Sequence, residues 1–281
     1  MILPKPIMSR TLLLMLLSGL AGLVLYREAV ATLFLHVLNR HGSSHGVFVP
    51  FLTAFFLWTV RDRIKESTVN YSLAGVPVVI VCALPPLLGV ASFQLLFIAY
   101  IGLICGLVLT LLGRAMFKTL AFPMLFLITM VPLPPDLYNR LADMSRTIAF
   151  GASLKILSLL NIPYLREGWN IELPNAMLFV AESCSGIRYL VSFVVFGLAY
   201  AYLFRSSTSG RIATVLATIP ISLFASTCRL TIIFLMTYWV SPFWSERRPH
   251  IILSWFVFVA VLFSCIYLDQ WIQKRREQGS E

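Results

Sequence analysis

Residues 93–112 read FQLLFIAYIGLICGLVLTLL, twenty consecutive positions without a charge. A helix rises about 1.5 Å per residue, so about 20 such residues cross the hydrocarbon core of a bilayer. The rest of the chain agrees with that reading. It has 281 residues, of which 59% are hydrophobic and 12% charged. Soluble domains are about one-quarter charged, so a water-soluble fold is excluded on composition. Further apolar runs flank this one at 8–26, 44–60, 72–91, 115–133, 185–204, 211–240 and 250–268. The second run of the eight is short and the seventh is long. Pro77, Pro85 and Pro86 fall in the third run and Pro220 in the seventh, where proline can kink a helix. The expected fold class is an all-α polytopic membrane protein. It is read as a single integral domain over 1–281, with about eight transmembrane helices.

Charge then orients the spans. Lys and Arg number 22 against 12 Asp and Glu, a formal net charge of +10. With Lys5 and Arg10 in the cytoplasm, the loops on that side hold Arg61, Arg63, Lys65, Arg114, Lys118, Arg205 and Arg211. The tail Lys274-Arg275-Arg276 returns to the same side, as eight spans require. Most of the excess is therefore a positive-inside signal, and nucleic acid is not an expected partner. The five cysteines include no C-x-x-C pair, and Cys82, Cys105, Cys228 and Cys265 lie within apolar runs. Neither a disulfide framework nor a zinc site is expected, and no cofactor is implied.

The long extracytoplasmic segment 134–184 differs from the spans. Asp136, Asn139, Arg140, Asp143, Arg146 and Thr147 fall on one helical face, and Leu137, Leu141, Met144 and Ile148 on the other. This spacing predicts an amphipathic helix over 136–160, lying on the outer membrane surface. A crossing by 148–165 would reverse everything downstream, and Lys155 with the C-terminal basic cluster opposes that. Over 166–183, Trp169, Ile171 and Leu173 alternate with polar neighbours. Pro174-Asn175 then marks a turn, and Met177, Phe179 and Ala181 alternate after it. A short β-hairpin leading into Cys184 is predicted.

Three residues stand out chemically. Cys184 lies in Glu182-Ser183-Cys184-Ser185-Gly186-Ile187-Arg188, where the hairpin meets the sixth span. A thiol at a helix N-terminus feels the positive end of the dipole, which favours the thiolate, and Arg188 adds to that field. The same position also suits a small packing thiol. Arg229 lies inside the seventh span, about 16 Å along the helix from residue 240. A charge at the centre of a span costs roughly 2.5–3.5 kcal/mol on insertion scales, and snorkelling from that depth is strained. His250 opens the eighth span. The predicted topology puts all three at the outer ends of consecutive spans, where they would serve as nucleophile, oxyanion stabiliser and base. Two other patterns carry less. Gly42-Ser43-Ser44-His45-Gly46 fits G-x-S-x-G, but it lies between spans rather than at a strand–helix elbow. His41 and His45 lack the glutamate of a zinc-protease motif.

On these residues the sequence resembles the exosortase/archaeosortase family of membrane-embedded cysteine transpeptidases. Phe179 to Leu190 looks like the family's nucleophile motif, with Ser183 where alanine is usual in its A-C-S-G core. Ser226-Thr227-Cys228-Arg229 resembles a second motif, N-x-x-R, with Ser226 where asparagine is usual. His250 and the aromatic helix after it resemble a third, and Ser254 stands where glycine is common. Ser44-His45-Gly46, Val49-Pro50 and Trp58 resemble the first conserved stretch. The resemblance runs from about 40 to 265. It implies an exosortase-like peptidase in the inner membrane of a prokaryote, with both termini cytoplasmic and the site on the outer face. The implied substrate is a membrane-tethered protein with a C-terminal sorting tail: a Pro-Glu-Pro type motif, one transmembrane helix and a basic cluster. Cys184 would form an acyl-enzyme, Arg229 would stabilise the oxyanion or orient the thiolate, and His250 would act as general base and then protonate the leaving amine. Arg188, Glu182, Arg247, Arg248 and His45 are candidate substrate contacts, and the acyl acceptor is open. A non-catalytic membrane assembly factor and a lipid- or polysaccharide-handling permease are the competing readings.

Overall fold

The computed structural model describes residues 5–39, 45–181 and 186–278, without the side chains at 5–12, 38, 39, 45, 188, 245, 247, 248, 250, 272, 273 and 276–278. The chain is mostly helical and carries one small sheet. It packs as two compact units, Met1–Pro134 and Pro135–Glu281.

The first unit contains α1 (Lys5–Leu25), α2 (Arg27–Asn39), α3 (His45–Thr59), α4 (Arg61–Glu66), α5 (Val76–Leu87), α6 (Phe93–Leu111) and α7 (Gly113–Phe126). The charge-free α6 is central and packs against α1, α2, α5 and α7. The first apolar run, 8–26, forms α1 and ends where the chain turns into α2. Leu13–Leu25 and Arg27–Val37 meet at a bend of 71°. Tyr26 sits at the break, buried, with its ring 5.5 Å from that of Tyr100 and its hydroxyl donating to the Cys82 carbonyl. An aromatic anchor with a polar tip thus holds the corner to α5 and α6. Pro77 lies in the first turn of α5, where its missing N–H is no loss, so it starts that helix instead of kinking it.

The second unit contains α8 (Pro135–Leu159), a sheet, α9 (Ile187–Phe204), α10 (Thr208–Trp239) and α11 (Arg247–Gln278). By length and composition, four helical stretches among the described residues can cross a membrane: Phe93–Leu111, Gly113–Met130, Thr208–Trp239 and Ile251–Trp271. The bent pair makes a fifth if it is counted as one span. Gly46–Thr59, Leu73–Leu87 and Tyr189–Phe204 are apolar but shorter. The helix α10 runs through Pro220 without ending.

The predicted amphipathic helix is present as α8, and Asp136, Asn139, Arg140, Asp143 and Thr147 are exposed as expected. Arg146 is not. It is buried with Ala142, Ser145, Ala149, Phe150 and Ser153 along the face that packs on α10. The small side chains of that face let the two backbones approach. The Ser153 hydroxyl accordingly lies 2.8 Å from the Ala149 carbonyl and 3.3 Å from the Thr227 carbonyl of α10.

The hairpin is also present, with one strand more than the alternation showed. Strands β1 (Leu165–Glu167), β2 (Asn170–Leu173) and β3 (Ala176–Phe179) form an antiparallel meander. Leu173 pairs with Ala176 across the Pro174-Asn175 turn. Ile171 and Leu173 point into a core with Phe150, Leu154 and Leu157 of α8 and Leu230 and Phe234 of α10. The Asn175 amide donates to the carbonyls of Thr237, at 2.8 Å, and Tyr238, at 3.1 Å. These belong to the last turn of α10, whose carbonyls have no partner within the helix. The sheet is therefore pinned to the end of the helix that carries Arg229.

Candidate active site

The site begins at Gly186, the residue that caps α9. Its φ is +79°, a left-handed conformation that glycine adopts without strain. A second constraint acts there too. A Cβ at this position would collide with the Cβ and hydroxyl of Ser226 on α10. Ser226 is buried, and its hydroxyl donates 2.8 Å to the Ser222 carbonyl. Gly186, at the start of α9, is thus pressed against the segment of α10 that leads to Arg229.

Arg229 lies one turn beyond Ser226 and is only 5% exposed. Its guanidinium carbon stands 4.9 Å from the ring centroid of Tyr189, in the first turn of α9. A ring face attracts a guanidinium through its quadrupole and leaves the charge intact. Tyr189 reaches a third helix as well. Its hydroxyl donates 2.6 Å to the Ser254 carbonyl of α11, one turn after His250. The ring also packs 5.7 Å from Phe258. One side chain therefore ties together the three helices on which the sequence places its candidate residues. Gly186 meets Ser226, and Tyr189 meets Arg229 and Ser254.

Of the predicted site residues, Arg229 is described in full. Cys184 and Glu182 lie outside the described residues. Arg188 is in the first turn of α9, and Arg247, Arg248 and His250 are in the first turn of α11, but their side chains lie outside the described ones. The same holds for His45, which opens α3 in the first unit. Among the described residues, no group of three His, Cys, Asp or Glu side chains could hold a metal ion.

Two residues went unread in the sequence. Tyr189 looks like any aromatic in an apolar span, and only its position three residues after the capping glycine marks it. Arg146 was assigned to a solvated face. The structure instead has its guanidinium donating to the Val180 carbonyl and lying 3.9 Å from the Trp169 ring centroid. The signal was the row of small residues around it, Ala142, Ser145, Ala149 and Ser153, which spells a packing seam.

Compared with known protein families, residues 38–267 match the one described as transmembrane exosortase (Exosortase_EpsH). No curated protein and no solved structure matches the chain.

Proposed function

The chain belongs to the transmembrane exosortase family, and from that membership we propose that it is a cysteine transpeptidase or protease whose nucleophile is Cys184. The observation that carries this reading is Tyr189. It holds Arg229 against the first turn of α9 and bonds to α11 one turn from His250. In the proposed reaction the Cys184 thiolate attacks the scissile carbonyl carbon of a sorting tail. The position before the α9 N-terminus favours that thiolate, because the first-turn N–H groups carry partial positive charge. The tetrahedral oxyanion that forms is held by the Arg229 guanidinium, which α10 and Tyr189 pre-position. His250 gives a proton to the departing amine as the C–N bond breaks, leaving a thioester on Cys184. An acceptor, amine or water, then gives its proton to His250 and attacks the thioester. The acyl chain leaves and the thiolate is restored.

The proposed substrate is a protein with a Pro-Glu-Pro type motif, one transmembrane helix and a basic cluster. Its own helix restricts it to two dimensions, so few contacts suffice to orient it. Arg188, Glu182, Arg247, Arg248 and His45 are proposed to contact the motif. The proposed topology has eight crossings with both termini in the cytoplasm. The short helices α3, α5 and α9 and the bent α1–α2 pair then each serve as one crossing. The site opens on the extracytoplasmic face of a prokaryotic inner membrane.

The test is co-expression with a tagged sorting-tail protein, following the tag by mass. Processing is expected in the wild type and is expected to disappear in Cys184→Ala, Arg229→Ala and His250→Ala. Processing that persists in Cys184→Ala overturns the assignment and favours an assembly factor or a permease.

A further inference from the structure

We propose that Arg146 is a positioning residue for the nucleophile, acting through the strand that delivers Cys184; this rests on the reading of Cys184 given above. Arg146 is 6% exposed and lies beside Trp169 and Val180, which belong to or pack on a buried apolar cluster. Burying a guanidinium is costly, and a neutral donor would satisfy a single carbonyl. Contacts with the sheet and the residue after it hold it there. Its Nη2 donates to the Val180 carbonyl, and its guanidinium carbon lies 3.9 Å from the Trp169 ring centroid and 5.4 Å from that of Phe179. A charge-assisted bond combined with cation–π contacts to two rings restrains the position of the acceptor.

That acceptor is well placed. Val180 is buried and follows β3 directly, and its N–H donates 2.9 Å to the Trp169 carbonyl. Beyond it the chain runs through 181–185 to Gly186, which is pressed against Ser226. In sequence, Cys184 thus lies between two anchored residues. Gly186 on α10 is one, and Val180 on α8, held by Arg146, is the other. An extended chain covers about 3.3–3.6 Å per residue, so an error at either anchor is felt at the thiol. Displacing a reacting group by about 1 Å can cost about 100-fold in rate without unfolding the protein.

The experiment uses the full chain in membranes, as wild type, Arg146→Lys, Arg146→Gln and Cys184→Ala. Two quantities are followed. One is processing of a tagged sorting-tail protein, resolved into kcat and KM and normalised to folded protein. The other is the rate of iodoacetamide alkylation of the Cys184 peptide against pH, which needs no substrate. Arg146→Lys keeps the charge and loses the guanidinium. It is expected to remain folded, to lose about 100-fold in kcat with KM within about threefold, and to change the pH midpoint of Cys184 alkylation. A purely structural Arg146 predicts less folded protein with kcat per folded molecule and the alkylation profile both unchanged, and that result overturns the proposal. If Arg146→Lys fails to fold, Arg146→Gln gives the same two readouts. Processing that survives in Cys184→Ala removes the nucleophile reading, and the Arg146 proposal with it. Processing that needs Cys184 but keeps its kcat and alkylation profile in both Arg146 variants removes the Arg146 proposal alone.

Discussion

The bundle of α9, α10 and α11 holds an arginine toward each end, and the two are treated differently. Toward one end, Arg205 forms an ion pair with Asp269, and both side chains are about one-quarter exposed. Its Nε also donates 3.1 Å to the Thr214 hydroxyl, and Tyr200 donates 2.6 Å to the other Asp269 oxygen. Toward the other end, Arg229 is far more deeply buried and lies over the Tyr189 ring. A carboxylate holds a guanidinium through opposite charge, and a ring face holds one through its quadrupole. The first arrangement fastens helices, and in the proposed mechanism the second places a guanidinium where negative charge develops. The two tyrosines show the same division. Tyr200 completes a closed polar cluster, and Tyr189 links three helices around the buried cation.

That contrast predicts how the two ends respond to mutation. The largest effect is expected from Arg229→Ala, which should lower sorting-tail processing about 10²–10³-fold, as loss of an oxyanion donor does. Thermal stability should change little by comparison, and a drop in melting temperature that accounts for the whole loss would make Arg229 a fastener like Arg205. Gly186→Ala comes next, at about 100-fold, because the added Cβ meets Ser226 and the left-handed backbone disfavours it. In the double variant with Ser226→Gly the collision is gone and only the backbone strain remains, so part of the rate should return. No recovery would mean that the Ser226 contact is irrelevant. Asp269→Asn should do the opposite of Arg229→Ala. Weakening a part-buried ion pair should cost about 1–3 kcal/mol of stability, seen as a lower melting temperature, with processing per folded molecule unchanged. The smallest effect is expected from Tyr189→Phe. It keeps the ring under Arg229 and removes a hydrogen bond worth about 1 kcal/mol, so the rate should fall about fivefold at most. Tyr189→Leu removes the ring as well and should cost more. Equal rates in the two would show that the stacking does nothing.

What could be read in advance follows from how each signal is written. Hydropathy is summed over about 20 residues, so the apolar runs and their helices were legible, as was α8 from its period. The Pro174-Asn175 turn was legible from two residues of fixed chemistry. The helix α2 was not, because Arg27 and Glu28 interrupt the apolar run that ends at Tyr26. The strand Leu165–Glu167 is too short to show alternation, and it exists because Gly168 at φ +60° folds it back on β2. Arg229 could be singled out because a charge inside a span is anomalous by itself. Arg146 was hidden by the opposite circumstance. Among the charged neighbours of α8 another charge looks solvated, and only the packing of the sheet on that helix buries it. Tyr189 could not be found from spacing along one helix, since what makes it informative is its contact with two others.

The central claim is that the segment joining β3 to α9 carries a nucleophile served by Arg229 and His250. Its most direct test is the mass of the Cys184 peptide recovered from the full-length protein after exposure to a tagged sorting-tail substrate. The account predicts a peptide heavier by the acyl fragment of the substrate, released by neutral hydroxylamine as a thioester is, and absent in Arg229→Ala and His250→Ala. A substrate that is cleaved while Cys184 stays unmodified, with its cleavage indifferent to Cys184→Ala, would contradict it.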